Sequence, residues 1–243
     1  MSSPDGVHLL SSSVREQAAA LFQTQWQTYR KVVDNNYLFH NDAYAALHQF
    51  LIDEQPLPFS FLDIACGDAS STFGALAGTA VARYVGVDLS EYALELAARG
   101  ALLSCPCAFR LGDLADALTS WSEPMDVIWI GLSLHHFRAP QKLDLMRECC
   151  RIVGGSGKLV IYENAGPDGE TRDDWLARWD CQRPNWHAFT PAEWAALRTH
   201  VHEYDFPETV SSWHELGRAA GFVAIRQLFA SPTDLFRLFV FQA

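Results

Sequence analysis

Phe61-Leu62-Asp63-Ile64-Ala65-Cys66-Gly67-Asp68-Ala69-Ser70 is the stretch whose reading decides the fold. A short apolar run from Phe59 to Ile64 breaks at Cys66-Gly67, and a helix start follows near Ser70. An apolar strand that ends in a carboxylate, a turn of small residues and then a helix make a βα elbow of the kind that holds a ligand. Gly67 stands where the backbone turns tightly and passes close to that ligand, which glycine does without steric cost. A dinucleotide elbow needs the fuller G-x-G-x-x-G, whose glycines admit a pyrophosphate. Here the third glycine is not filled, so a nucleoside without phosphate fits better.

Two further stretches follow in the order such a ligand requires. Val85-Gly86-Val87-Asp88 is a second strand tipped by an acid, 21 residues beyond Gly67. An acid about 20 residues past the turn of a doubly wound sheet hydrogen-bonds ribose hydroxyls. Leu111-Gly112-Asp113-Leu114 closes a third strand and sets another acid at the same edge, suited to an adenine amino group. Asp126 to Phe137 then reads as a fourth strand running into the loop Leu132-Ser133-Leu134-His135-His136.

These four stretches, in order and spacing, resemble the class I S-adenosylmethionine-dependent methyltransferases of small-molecule type, over roughly Phe59 to Glu163. Where that family usually has Asp-x-Gly-x-Gly, this chain has Asp63-Ile64-Ala65-Cys66-Gly67, with Ala65 in place of the first glycine. The resemblance implies an α/β fold, a doubly wound seven-stranded Rossmann-like methyltransferase sheet, with S-adenosylmethionine as cofactor. It places Asp63 and the backbone of Ala65, Cys66 and Gly67 on the methionine part and Asp88 on the ribose, with Leu89 among the cofactor-binding residues. Asp113 and Leu114 fall on the adenine, and Gly131 and Leu132 beside the sulfonium. The competing reading of each strand-end acid is a cap for the next helix.

Charge and length narrow the partners. A net charge of −11 argues against a surface that tracks phosphates, so nucleic acid is not expected as a partner. The beginning of the chain lacks a basic region followed by an apolar core, and no run of 18 apolar residues occurs, so neither signal peptide nor membrane span is expected. Six cysteines without framework spacing fit reduced thiols and a cytoplasmic location. Cys105-Pro106-Cys107 has no partner pair at metal-ligand spacing and reads as a strand entry.

In chain order, residues 1–12 read as a disordered tail and 13–58 as N-terminal cap helices. The first helix opens on the capping box Ser13/Glu16 and the second covers about Asp42 to Ile52. The cofactor-binding core is 59–163, with strands at 59–64, 81–88, 107–111, 125–130 and 158–163. The alternation implies a parallel, right-handed doubly wound sheet. It breaks at Asn164, and residues 164–210 form an insertion too long for a bare loop. That insertion holds Trp175, Trp179, Trp186 and Trp194, half of the eight tryptophans, and reads as a lid. Residues 211–243 complete the sheet: a helix at 212–220 with a capping box at Ser212/Glu215, then a hairpin of strands at 222–229 and 235–242.

The candidate catalytic residues are His135 and His136, since an imidazole near neutrality takes a proton from an attacking hydroxyl or amine. Adjacent residues point in different directions, so one of the two faces the substrate; the sequence does not say which. A sulfonium is already activated, and in-line positioning supplies much of the acceleration without a base. Glu163, ending strand five, is a candidate to hold the substrate, or else a cap on the chain's turn. Trp26, Tyr29, Tyr37, Trp186, His187 and Tyr204 are the aromatic candidates for the substrate pocket. Trp175 and Trp179, four apart, read as lid packing. His200-x-His202 lacks a third ligand, so no metal set is expected.

The expected activity is methyl transfer from S-adenosylmethionine to an oxygen or nitrogen of a small molecule, in a chain that could form a homodimer through its aromatic insertion. The alternatives are a non-catalytic regulatory homologue that binds cofactor and an NAD(P)-dependent oxidoreductase, the latter disfavoured by the missing pyrophosphate glycines.

Overall fold

A computed structural model describes residues 28–55 and 57–243. The expected tail over 1–12, the capping box at Ser13/Glu16 and Trp26 lie outside the described residues. Residues 28–34 are helical (α1). The chain then runs α2 (His40–Glu54), β1 (Phe59–Ile64), α3 (Ser70–Leu76), β2 (Val81–Asp88), α4 (Glu91–Gly100), β3 (Cys107–Leu111) and α5 (Leu114–Ser120). It continues through β4 (Val127–Gly131), α6 (Ala139–Val153), β5 (Lys158–Gly166), α7 (Arg172–Asp180), α8 (Pro191–Tyr204), β6 (Glu208–Thr209), α9 (Val210–Ala220), β7 (Ala224–Ala230) and β8 (Phe236–Gln242).

The sheet order is β3-β2-β1-β4-β5-β8-β7. The first five strands are parallel, and β8 returns antiparallel between β5 and β7. This is the expected doubly wound sheet of seven strands. A two-residue strand, β6, adds an eighth by pairing with an extension of β5 at Ala165 and Gly166. Strand five therefore runs three residues past the expected Glu163, and the break in the alternation starts later than Asn164. The order reverses between β1 and β4, and it is at such a switch point, beyond the carboxyl ends of the strands, that open α/β sheets bind ligands.

Both sheet faces are apolar because alternate strand residues point to opposite sides. Phe61, Trp129, Val160, Tyr162 and Leu238 face one layer, where α2, α3, α4 and the insertion's tryptophans pack. Leu62, Ile64, Ile128, Ile130, Leu159, Ile161 and Phe239 face the other, against α5, α6 and α9. The expected Trp175 and Trp179 packing holds, at 1% and 2% exposure. Trp179 stacks on Trp194 with ring centroids 4.5 Å apart, and Trp186 stacks on Tyr37 at 4.5 Å. Each such pair adds about 0.5–1.5 kcal/mol beyond its buried area.

Helix starts follow side-chain caps. Ser90 accepts from Ala93 N at 3.0 Å, and Thr171/Asp174 and Thr190/Glu193 form capping boxes on α7 and α8. For α9 the expected cap at Ser212 is displaced. Thr209 is the N-cap and Ser212 instead donates its backbone N–H to it at 3.1 Å, since pairing of β6 holds Thr209 extended and the helix begins two residues early.

Gly217 sits inside α9, where glycine normally weakens a helix. A Cβ here would lie 2.5 Å from the Phe241 ring and 2.7 Å from Ile225. Close approach of α9 to β8 thus outweighs propensity. Gly217→Ala is expected to cost about 1–3 kcal/mol in urea unfolding through overpacking; a gain of ~1 kcal/mol, the propensity result, would contradict the close packing.

Candidate active site

The loop after β1 is held by the acid at the end of β2. Asp88 accepts from Gly67 N through Oδ2 at 2.8 Å and from Ser90 N through Oδ1 at 2.8 Å. Burial pushes its carboxyl up, and those backbone N–H groups pull it back. Each carboxylate oxygen keeps a lone pair for a further donor. The loop itself has φ of 58° at Ala65, 56° at Gly67 and 54° at Ala69. Only Gly67 adopts this left-handed conformation cheaply; at the two alanines it costs about 1–2 kcal/mol each. Cys66 packs inward, its Sγ filling the space that a Cβ on Gly86 would need, and its thiol is pushed up by burial.

Asp63 lies deeper than a ligand-facing residue, at 1% exposure. It accepts from the Tyr84 hydroxyl at 2.9 Å and bonds Thr72. Burial raises its carboxyl to about 7 against those two bonds, and Asp88 adds to the rise. Tyr29, from α1, has its phenol pushed up by desolvation and by the carboxylates of Asp68, Asp63 and Asp88. Arg30 reaches Asp68 at 3.4 Å, so the last turns of α1 stand against the loop after β1.

Leu89 follows Asp88 at 70% exposure and Leu111 ends β3 at 61%, two large apolar side chains facing solvent at the same sheet edge. Asp113 is the N-cap of α5, its Oδ1 accepting from Ala115 N at 2.8 Å and Asp116 N at 3.3 Å. The competing cap reading thus describes that oxygen. The Leu114 side chain is buried in the core and turned from the edge.

After β4, Leu132 takes φ 51° and donates its N–H to Tyr162 O at 2.6 Å, carrying the chain off the sheet. A 3-10 turn over Leu134–His136 follows, and Glu163 organises it. Its carboxylate, wholly buried, accepts from Ser133 N at 2.8 Å, Leu134 N at 2.6 Å, His135 N at 3.2 Å and His135 Nδ1 at 2.9 Å. The reading of Glu163 as a substrate holder is corrected on this ground: its oxygens are taken and face inward. Burial opposes ionisation of Glu163, but the imidazole and the N–H groups hold its carboxyl below the usual range. Burial likewise opposes protonation of His135, and the Glu163 carboxylate outweighs it, so that imidazole is raised.

His136 points the other way, its side chain 42% exposed and its ring 4.1 Å from that of His135. Burial and the neighbouring His135 lower it to about 4. At neutral pH it is an uncharged imidazole and a weaker base than the sequence suggests. Asp205, at the end of α8, stands 3.8 Å from His135 Nε2 and 3.6 Å from His136 Nδ1. Sequence reasoning missed it, because nothing local marks an acid in the insertion as a neighbour of the β4 turn. What joins them is a backbone bond, Phe206 N donating to His135 O at 2.7 Å.

The remaining candidates divide. Tyr37 and Trp186 wall a cavity of about 190 Å³ with Phe39, Trp179, Leu235 and Phe236. Trp186 is 4% exposed and serves as packing as much as lining. Tyr204 is 54% exposed and sits beside His200, and His187 is exposed. His202 binds Asp180 at 3.1 Å rather than pairing with His200.

Residues 61–157 match the family model described as a methyltransferase domain. The match covers the first four strands of the sheet and the helices between and after them. Solved structures share the fold of the chain at low identity. The pyocyanin biosynthetic protein PhzM is 18% identical with a TM-score of 0.56, over 82% of this chain and 54% of that one. An O-methyltransferase-like protein of Nostoc punctiforme PCC 73102 is 17% identical with a TM-score of 0.57, over 83% and 56%. This chain thus spans little more than half the length of these two. The magnesium protoporphyrin IX methyltransferase of Synechocystis PCC 6803, solved with SAH, is 12% identical with a TM-score of 0.60, over 90% and 95%. A comparison with curated proteins finds no match. Among the described residues of the chain, no helix is long and apolar enough to cross a membrane.

Asp63, in β1 of the matched core and beneath the loop that follows it, is pH-sensitive. Folded Asp63 holds its proton to about 7, against 3.8 ordinarily. The folded state therefore binds more protons between those values, and stability contributed at this position falls as pH rises through them. Replacing Asp63 with Asn removes the titration. Between pH 5 and pH 8 the stability of Asp63→Asn relative to the unsubstituted protein is expected to rise by about 2–3 kcal/mol in urea unfolding. A difference constant with pH would show that Asp63 is ionised throughout.

Proposed function

We propose that the chain transfers a methyl group from S-adenosylmethionine to an oxygen or nitrogen of a small molecule. The observation that carries this reading is the Asp88 brace. One carboxylate fixes the Gly67 turn and the start of α4 while keeping acceptor capacity at the sheet's switch point, with Leu89 exposed beside it. In this reading Asp88 takes the ribose hydroxyls, Leu89 lies on the adenine face and the Asp113–Leu114 backbone meets the adenine edge. The Ala65–Gly67 turn borders the methionine part, and Asp63 backs it from beneath through Tyr84 and Thr72. Gly131 and Leu132 border the sulfonium.

Catalysis then rests mainly on holding acceptor and methyl in line, because the leaving group is activated already. His136, neutral and half exposed, is the residue offered to an acceptor's proton, and His135 positions it from the Glu163 anchor. A conjugate acid of about 4 makes proton transfer a modest contribution. Tyr29 and Tyr37 from the N-terminal helices and Trp186, His187 and Tyr204 from the insertion enclose the acceptor.

Two measurements test this reading. Asp88→Ala is expected to lower S-adenosylmethionine affinity by about 10–100-fold in calorimetry, the loss of a charged hydrogen-bond partner, while the circular dichroism spectrum is kept; equal affinity rejects the ribose role. With labelled S-adenosylmethionine and a panel of small phenols, carboxylic acids and amines, label is expected in a product. Cofactor binding without transfer to any of them would favour the non-catalytic alternative.

A further inference from the structure

His135, His136 and Asp205 converge in a way that neither packing nor methyl transfer explains. One ligand atom from each lies within 4.8 Å of the others. Asp205 Oδ1 is buried and has no hydrogen-bond partner, while Oδ2 accepts from Asn164 Nδ2 at 2.9 Å. The residue is 5% exposed. Buried carboxylate oxygens are ordinarily satisfied, and an orphan calls for an explanation, an unseen ion among them.

The orphan oxygen faces two imidazole nitrogens. His135 Nδ1 donates to the ionised Glu163 carboxylate, which can only accept, so Nε2 is the nitrogen turned to Asp205. At 3.8 Å and 3.6 Å the two nitrogens stand too far from Oδ1 to hydrogen-bond it. Those separations are instead close to the edge of a tetrahedron around a cation with bonds near 2.1 Å, roughly 3.4 Å. His136 Nδ1 otherwise meets the Tyr204 carbonyl at a long 3.4 Å, a weak contact that a bound cation would replace.

The supporting groups are those a metal site uses. Glu163 fixes the orientation of His135, as a carboxylate does behind a metal-bound imidazole, and Asn164 fixes Asp205. The Phe206–His135 backbone bond ties the two ligand-bearing segments together. Nearby cations are already engaged: Lys142 with Glu208 at 2.6 Å, and Arg172 with the carbonyls of Asp205 and His202. His200 approaches from the exposed side, its ring 5.5 Å from that of His136.

We propose that His135 Nε2, His136 Nδ1 and Asp205 Oδ1 bind a divalent transition-metal cation of the zinc class, with a fourth position open toward His200. Two imidazoles and one carboxylate select such an ion over magnesium or calcium, which prefer oxygen throughout. The site shares His135 and His136 with the proposed reaction but none of the Asp88 loop, so its test reads binding of the ion without cofactor and does not depend on turnover.

The test is calorimetric titration of the chelator-treated full chain with zinc chloride, in the absence of S-adenosylmethionine, with cobalt(II) absorption as a second readout. One zinc per chain is expected, with a cobalt spectrum of tetrahedral nitrogen and oxygen ligation. Asp205→Asn, which keeps shape, and His136→Ala, at a half-exposed position, are each expected to weaken zinc binding by at least about tenfold. His202→Ala is expected to leave it unchanged. Absence of zinc uptake overturns the proposal, as does uptake that survives both ligand substitutions or that His202→Ala removes. If Asp205→Asn does not fold, His136→Ala with the cobalt spectrum decides alone.

Discussion

A wholly buried carboxylate, Glu163, holds the loop after β4 by accepting three backbone N–H groups and the ring N–H of His135. Removing one partner of such a buried charged set typically costs about 3–5 kcal/mol, because the others lose their compensation. Asp88 repeats the device on the other side of the switch point, where the end of β2 holds the loop of β1. In both cases an acid at or near the carboxyl end of a strand secures the loop of the neighbouring strand. Two loops that leave adjacent parallel strands are thereby fixed at one edge, with strained backbone at Ala65 and Leu132 retained by their anchors.

The N-terminal helices and the insertion lie over one face of this frame and are joined to each other. Tyr37 stacks on Trp186 and accepts from Ala188 N at 2.8 Å, and Lys31 pairs with Glu193. Tyr162, on β5, donates to Leu38 O. The aromatic stacks and directed polar bonds make the cover a packed layer that shares the sheet's own core, which is why Trp186 is buried rather than presented. Leu89 and Leu111 stay exposed at the edge, whereas half-exposed His136 is met from one side by the end of α8.

The sequence was most legible where a local pattern decides the outcome. Short apolar runs and acid tips mark β1 to β4 within one or two residues, and the antiparallel return of β8 is legible in its hairpin. Asp113 shows the limit of such reading: a strand-end acid and a helix cap look identical until the geometry shows Oδ1 on Ala115 N. For Glu163 the sequence leaves substrate holder and cap both open, and the side chain turns to the N–H groups of the loop after β4, nearer the second reading. The α9 cap moved because β6, two residues long, leaves no periodic trace. The capping boxes at Thr171/Asp174 and Thr190/Glu193 are signals that sequence reasoning missed, and they open both helices of the insertion. Asp205 had no signal at all, since its neighbours are set by tertiary contact alone.

The measurement that bears most directly on this account is a crystal structure of the chain soaked with S-adenosylhomocysteine. The account predicts density along the carboxyl ends of β1, β2, β3 and β4, with the ribose hydroxyls on Asp88 and the adenine face on Leu89. Density for that molecule at any other place on the protein, or a site at this edge that stays empty at saturating ligand, would contradict it.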